Sequence, residues 1–381
     1  MEKIKVLVVD DSSIMRKLIS KIVSDDPSLE VVDTAMDGLF ALKKIRKHNP
    51  DVVLLDLEMP NMDGVTFLKM RKEFEISTPV IILSSIGKTH PEVIFKTLDM
   101  GAADFIVKPS GSISLDIQTL AEEIRSKIHY YSRKTALTDE QKRRIDDKES
   151  AFSVSPALTT RYFTSLPEKE KFSNKKSLAE KIDIMSSVKL IAIGISTGGP
   201  NALRLILPKF DSIFPVPILI VQHMPPGFTR EFARGLNEVC ALKVSEAEDG
   251  EEIKSGRIYI APGDKHIVLS SSSGIIRVLH DDSPPLNGHK PSAGMLFNSV
   301  NEHFPGSSIC VIMTGMGKDG SKEINQASIN NAICFAQDEE SSVVFGMPKV
   351  AIEYGGIDEV ISLDKISERI IELVYKINGK K

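Results

Sequence analysis

The 381 residues include only three cysteines, Cys240, Cys310 and Cys334, far apart and each in apolar or helical surroundings. That spacing excludes a disulfide framework and a CxxC metal site, and it predicts buried, reduced thiols. An excess of positive charge is also missing: 48 Lys and Arg against 52 Asp and Glu leave a formal net charge of -4. Without a global basic field, nucleic-acid binding through phosphate neutralisation has no compositional support. The start of the chain lacks a long apolar run, since MEKIKVLVVDD breaks on two aspartates after a few apolar residues. Neither a signal peptide nor a membrane anchor is expected there, and the expected compartment is the cytoplasm. What remains is 41% hydrophobic and 26% charged, a soluble globular composition with length for two or three domains, each with its own core.

From Ile4 to about residue 130, short apolar runs (IKVLVVD, LEVVDTA, DVVLLDL, PVIILSS, DFIVKP) alternate with amphipathic segments of helical period. The alternation predicts βα units around a parallel sheet covered by helices on both faces. Between about Arg133 and Ile184 the pattern dissolves into RKTALTDEQKRRIDDKES and LPEKEKFSNKKSLAEK. Charge of both signs and few aliphatic clusters predict a linker with at most transient helix, because too little apolar surface is buried to offset the entropy of ordering. The second half resumes with VKLIAIGIS, VPILIVQHM, GRIYIAPGD, GIIRVLHDD, SICVIMTGM and NAICFAQD. Helical patterns intervene at PNALRLILPKF, FTREFARGLNEV, AGMLFNSVNEHF and ISERIIELVYKI. GRIYIAPGD and GIIRVLHDD are close enough to pair as an antiparallel hairpin, while the other runs imply a second doubly wound, mainly parallel sheet. The division expected is therefore residues 1–130, a charged linker over 131–185, and residues 186–381.

Asp10 and Asp11 follow directly on IKVLVV, and Asp56 ends DVVLLD, so three carboxylates stand at the carboxyl ends of two predicted parallel strands. Ligands of open α/β sheets bind at that edge. Clustered carboxylates repel, and a hard divalent cation such as Mg²⁺ neutralises them while leaving positions for phosphoryl oxygens. Taken singly, each aspartate also fits a helix cap after a βα turn. Ser84 after PVIIL and Lys108 after ADFIV add a hydroxyl and an ammonium at two further strand ends, completing a set able to hold a phosphoryl group on a carboxylate.

VLVVDDSSIMRK, DVVLLDLEMPNMDG, LSS and DFIVKPS together resemble the receiver domain of two-component response regulators, over about the first 120 to 130 residues. The resemblance implies a flavodoxin-like fold with Asp56 as phosphoacceptor and Asp10, Asp11 and Asp56 holding Mg²⁺, with the backbone carbonyl of Glu58. It further implies that Ser84 senses the phosphoryl group, Lys108 pairs with it, and Phe105 is the aromatic switch residue. Many receivers carry Thr where Ser84 stands; the hydroxyl is retained. Phosphorylation adds about two negative charges, enough to bias a two-state loop that binds them in one state only.

In the second half, GISTGGP ends an apolar run and opens a helical pattern, a strand-turn-helix corner that aims backbone N–H groups at whatever binds there. Two readings start from it: Ser196 as a nucleophile, or a glycine-rich phosphate cradle. VQHMPPGFT places His223 at the end of the next predicted strand, and MTGMGKDG places Asp319 in a glycine-rich turn after another. Serine, histidine and carboxylate at neighbouring strand ends are the set needed for acyl transfer. Singly, His223 reads more readily as a structural histidine and Asp319 as a helix cap; their joint placement with Ser196 reverses that. GISTG also matches the GxSxG elbow, but no histidine follows Asp319, which excludes the α/β-hydrolase order. His266 in APGDKHIVL reads as hairpin or cleft lining, and His289 in NGHKPSAG as a substrate-side contact. Backbone N–H groups in TGMGKDG, Met316 among them, and just after Ser196 are candidate oxyanion donors.

IGISTGGP, VQHMPPGFT, IAPGDKH, MTGMGKDG and QDEESSVVFGMP, in this order over about residues 186 to 378, resemble the catalytic domain of the protein-glutamate methylesterases of bacterial chemotaxis. The resemblance implies a triad of Ser196, His223 and Asp319, with the Met316 backbone in the oxyanion hole and Thr197 supporting the site. Gln337 to Pro348 matches a family segment whose role the residues do not reveal. The implied reaction is hydrolysis of glutamate methyl esters on chemoreceptors, releasing methanol, with glutamine deamidation by the same route, no cofactor for the ester chemistry, and a chemotaxis histidine kinase as phosphodonor. An occluding receiver that phosphorylation repositions is the implied regulation.

Two other classes compete with this reading. A DNA-binding regulator needs a basic recognition helix, which the second half lacks. A receiver-controlled phosphate or nucleotide-binding module would use GISTGGP, yet no Walker lysine follows those glycines.

Overall fold

A computed structural model describes residues 2–85, 90–108, 115–146, 175–272 and 274–379. The chain divides into two compact units, Met1–Leu83 with Ile128–Lys171, and Ser84–Lys127 with Phe172–Lys381.

The five apolar runs of the first half are strands β1 (Ile4–Val9), β2 (Leu29–Ala35), β3 (Val52–Asp56), β4 (Val80–Ser85) and β5 (Asp104–Lys108). Between and after them come α1 (Ser13–Ser24), α2 (Gly38–His48), α3 (Gly64–Glu73), α4 (Pro91–Asp99) and α5 (Leu115–Asp146). The sheet order is β2-β1-β3-β4-β5, with β1 parallel to β2 and β3, and β3 parallel to β4. This is the α/β receiver arrangement expected. β3 is buried along its whole length, which is why its run is continuously apolar rather than alternating. Ser12, Asp37 and Asp63 each cap the helix that follows a strand end, so helix starts are locally encoded there.

α5 runs past the expected boundary at 130, and residues 147–174 of the expected linker lie outside the described residues. The linker's last part differs from expectation, because Leu178–Ile184 forms α6. Ser177 and Glu180 close a capping box around its start. The fully buried Lys181 ammonium then reaches Asp358 at 2.8 Å, Ser328 Oγ at 2.7 Å and the Ala332 carbonyl at 2.8 Å. A charged-looking segment is thus ordered by one buried ion pair that hydropathy counts as solvated surface.

The second sheet contains β6 (Leu190–Ile195), β7 (Ile218–Gln222), β8 (Lys243–Glu246), β9 (Arg257–Ile260), β12 (Ser308–Ile312), β13 (Ile333–Gln337) and β14 (Glu359–Ile361). β10 (His266–Ser272) and β11 (Ile275–Asp281) form a separate pair. The helices are α7 (Gly199–Ile206), α8 (Phe228–Val239), α9 (Ala293–His303), α10 (Ser321–Ile329), α11 (Met347–Tyr354) and α12 (Leu363–Asn378). The seven strands run β14-β13-β12-β6-β7-β9-β8, all neighbouring pairs parallel.

The expected hairpin exists, but GRIYI is not its first strand. That run is β9 and joins the parallel sheet beside β7 and β8, while HIVLSSS pairs antiparallel with β11. Pro262, Gly263 and Asp264, the last with φ of 64°, turn the chain between the two. Gly263 lies so close to the Pro225–Pro226 backbone that a Cβ would come within 2.5 Å of it, and this sends His266 into a new strand. In the core, α9 approaches β6 so closely that a Cβ on Gly194 would meet the Ala293 methyl at 2.6 Å.

Candidate active site and phosphoacceptor pocket

In the first unit, Asp10 and Asp56 are buried and Asp11 is exposed, and a carboxylate oxygen from each lies within 4.8 Å of the others. The Arg16 guanidinium donates to the carbonyls of Asp10 at 2.7 Å and Asp11 at 2.9 Å, fixing the loop after β1. The Ser12 N–H donates to Asp10 Oδ1 at 2.8 Å and the Leu57 N–H to Asp56 Oδ1 at 2.8 Å. Gly64 lets α3 start against β3: a Cβ there would stand 2.6 Å from the Asp56 carbonyl. Three converging carboxylates, two of them buried, are a hard-oxygen donor set that fits a divalent cation such as Mg²⁺. Ser84 near the end of β4 and Lys108 at the end of β5, both within the Ser84–Lys127 part of the second unit, are buried. Glu58 follows β3 and is exposed, and Phe105 is buried in β5.

In the second unit β6 is flanked by β12 and β7, and each of these three strands leads into one of the sequence-selected residues. Ser196 follows β6, His223 follows β7, and Asp319 lies in the turn between β12 and α10. The strand ends are tied together: Ser196 N–H donates to the Thr314 carbonyl at 2.9 Å and His223 N–H to the Ile195 carbonyl at 3.2 Å. His223 Nε2 lies 2.9 Å from Asp319 Oδ2, while His223 Nδ1 is buried with no hydrogen-bond partner among the described residues. Asp319 is fully buried and also accepts from the Ala293 N–H at 2.7 Å and the Ser292 hydroxyl at 2.6 Å. Burial alone would raise its pKa; the hydrogen bond and charge of His223, with Ser292 and Ala293, outweigh it and hold the carboxyl below its ordinary range.

His289 stacks on His223 with ring centroids 3.9 Å apart and planes 7° from parallel. Burial first, and His223 second, push the His289 imidazole down to about 4, against the opposing pull of Asp319. His266 is elsewhere: it is fully buried, and it contacts Ser292 N–H and the Pro284 carbonyl. A cavity of about 470 Å³ is lined by Ser196, Thr197, His223, His289 and Met316, and also by Phe105, Thr119, Glu122 and Glu123. It therefore brings Ser196, Thr197, His223, His289 and Met316 to one space, while Asp319 and His266 are buried and do not line it.

Sequence reasoning missed three supports. Gln222 Nε2 donates to the carbonyls of Ser196 and His223, both at 3.1 Å, and a Cβ on Gly199 would meet its Oε1 at 1.8 Å. Gly315 lies against the nucleophile candidate, since a Cβ there would stand 2.7 Å from that of Ser196. The segment from Gln337 onward, left without a role above, braces this turn. Gln337 Oε1 accepts from Thr314 N–H at 2.9 Å, Val344 N–H donates to Thr314 Oγ1 at 3.0 Å, and the Gly315 carbonyl accepts from Met347 N–H at 2.9 Å. The only signal available was the residue types themselves, because all of these contacts except that of Gln222 with its neighbour His223 join residues distant in sequence.

Residues 191–370 match the family model described as CheB methylesterase, and residues 6–119 match that of the response regulator receiver domain. A protein-glutamate methylesterase/protein-glutamine glutaminase of Treponema denticola is 45% identical over 372 residues, 97% of this chain and 98% of its own. The Treponema pallidum protein of the same description is 40% identical over 391 residues, 96% of each chain. The crystal structure of the Thermotoga maritima CheB methylesterase catalytic domain is 45% identical, with a TM-score of 0.49, covering 49% of this chain and all of that one.

Proposed function

The chain belongs to the family of protein-glutamate methylesterases that carry a response-regulator receiver domain, and from that premise we propose that it hydrolyses glutamate methyl esters on bacterial chemoreceptors under phosphorylation control. The observation that carries the reading is that His223, paired through Nε2 with the buried Asp319, lines the same cavity as Ser196. Asp319 engages Nε2, which leaves Nδ1 as the nitrogen that takes the Ser196 proton as Oγ attacks the ester carbonyl. The buried Asp319 charge stabilises the imidazolium, and the N–H groups of Met316 and of the turn after Ser196 receive the oxyanion. Collapse expels methanol, which takes its proton from His223, and water then hydrolyses the acyl-serine by the same sequence to give glutamate. Receptor glutamine follows this route with ammonia as leaving group.

In the receiver, residues 1–130 on this reading, Asp56 takes the phosphoryl group from a histidine kinase, and Ser84 and Lys108 bind its oxygens. Asp10, Asp11 and Asp56, with the Glu58 carbonyl, would hold Mg²⁺, which when bound neutralises phosphoryl oxygens. The catalytic domain is residues 186–381. Support for control comes from the cavity wall, which includes Phe105, Thr119, Glu122 and Glu123. Phe105 also packs edge-on against Phe95 of α4 at 5.5 Å, and Phe95 stacks on Phe232 of α8 at 5.4 Å. In the unphosphorylated chain these contacts narrow access to Ser196.

The test is methanol release from methylated receptor membranes by wild type and Ser196→Ala. Loss of the triad serine lowers turnover on the order of a million-fold. Equal release by both proteins would remove Ser196 from the mechanism.

A further inference from the structure

Behind the His223–Asp319 pair lies a second, fully buried pair of polar side chains, Ser292 and His266. Ser292 precedes α9 and caps it, its Oγ accepting from Gly294 N–H at 3.0 Å and Met295 N–H at 3.4 Å. Because both amides donate, the hydroxyl proton is left for Asp319 Oδ1, 2.6 Å away. The Ser292 N–H in turn donates to His266 Nδ1 at 3.1 Å, while His266 Nε2 faces the Pro284 carbonyl at 3.2 Å. An amide donor on one nitrogen and a carbonyl acceptor on the other are both satisfied only by the neutral Nε2–H tautomer.

The geometry points to Ser292 as a positioning residue of the esterase, with His266 as the fixed-tautomer support that aims its hydroxyl at Asp319. This extends the triad reading and rests on it. Ser292 makes the short contact to Oδ1, beside longer ones from Asn287 Nδ2 and Gly294 N–H at 3.4 Å each, and the Ala293 N–H donates to Oδ2, so Asp319 is held facing His223 Nε2. His266 is thereby excluded as a rival base, since both ring nitrogens are engaged away from Ser196. A serine donor also disperses part of the Asp319 charge; without it, the carboxylate holds the His223 proton more tightly.

His289 faces His223 on the stacked side, and Glu323 of α10, itself influenced by Lys322, lies within electrostatic reach of Asp319. Asp104, Glu122, Glu123 and Lys127 line the same cavity.

The experiment uses the full chain and methylated receptor membranes, and records kcat, KM and the pH profile of methanol release for wild type, Ser292→Ala, Ser292→Thr and Ser196→Ala. Ser292→Ala is expected to lose about ten-fold in kcat with KM unchanged, and to move the acid limb of the profile to higher pH by about half a unit. Ser292→Thr, which keeps the hydroxyl, restores the limb. A Ser292→Ala protein with a lower melting temperature but unchanged kcat and acid limb has lost a helix cap only, and the proposal fails. Full activity in Ser196→Ala instead overturns the triad reading itself. Nitrogen-15 histidine spectra of the wild type at pH 8 give a check independent of folding of the variants: His266 is an Nε2–H tautomer there, and an Nδ1–H tautomer overturns the assignment.

Discussion

His223 is held by one partner of each kind: a carboxylate at Nε2, a parallel imidazole on its face, and the Gln222 amide on its own carbonyl. The stacked His289 has a consequence for stability. Its folded pKa of about 4 lies below the 6.5 of an unperturbed histidine, so the unfolded chain binds a proton first. Stability is therefore full above pH 6.5 and is lost as pH falls from about 6.5 to about 4. Replacing His289 by Phe keeps a stacked ring and removes this contribution; denaturant midpoints across that pH window should show a shallower fall than the wild type, and an identical fall would show that His289 titrates normally in the fold. Asp319 acts in a different window. With a depressed carboxyl pKa, its contribution is present above 3.8 and is lost only below that. Ser196, His223 and Asp319 were legible in the sequence because strand ends and glycine turns mark them. Gln222 and Ser292 were not, since a polar residue at a strand end or helix start has many ordinary explanations, and the partners that tie them to the site, Ser196 and Asp319, are distant in sequence.

At the scale of elements, the turn after β12 is built around Gly315. A methyl there must displace Ser196 or Met347, whose sulfur would stand 2.5 Å away. Gly315→Ala is expected to abolish methanol release while the far-ultraviolet spectrum of the folded chain is retained; wild-type turnover would mean that the turn relaxes freely. α6 provides the second case. Removing the Lys181 ammonium leaves the buried Asp358 with Lys175 as its remaining ion-pair partner, and breaking a buried pair from one side costs about 3–5 kcal/mol. Urea unfolding of Lys181→Met should lose up to about that much, and Lys181→Met with Asp358→Asn should recover part of it; no loss in the single variant would mean that α6 is not anchored by this pair. β6, β7, β12 and β13 and the helices α7, α8, α9 and α12 were readable from periodicity, whereas the short strands β8 and β14 and the second half of α5 were not. α6 was not, because a buried lysine looks the same in sequence as a solvated one, and β9 was assigned to the hairpin because proximity in sequence does not reveal which strand a β-run joins.

At the scale of the molecule, one chain carries a carboxylate cluster that fits a divalent cation and a cavity lined by Ser196 and His223, with Asp319 buried on the far side of His223. The aromatic contacts of Phe95 with Phe105, Phe228 and Phe232 give the proposed control a physical handle. Phe95→Ala removes all three, and basal methanol release in the absence of phosphodonor is expected to rise several-fold; an unchanged basal rate would separate these contacts from control. The fold of both sheets was legible from alternating strands and helices, whereas the shared wall of the cavity was not, because nothing local in Phe105 or Glu122 says what faces them. The central claim is that phosphorylation at Asp56 governs chemistry at Ser196. Its most direct test is the rate of methanol release from methylated receptor membranes by wild type and Asp56→Asn, each with and without Mg²⁺ and a small phosphodonor. A rise confined to the wild type is the predicted result, and an equal rise in Asp56→Asn would contradict it.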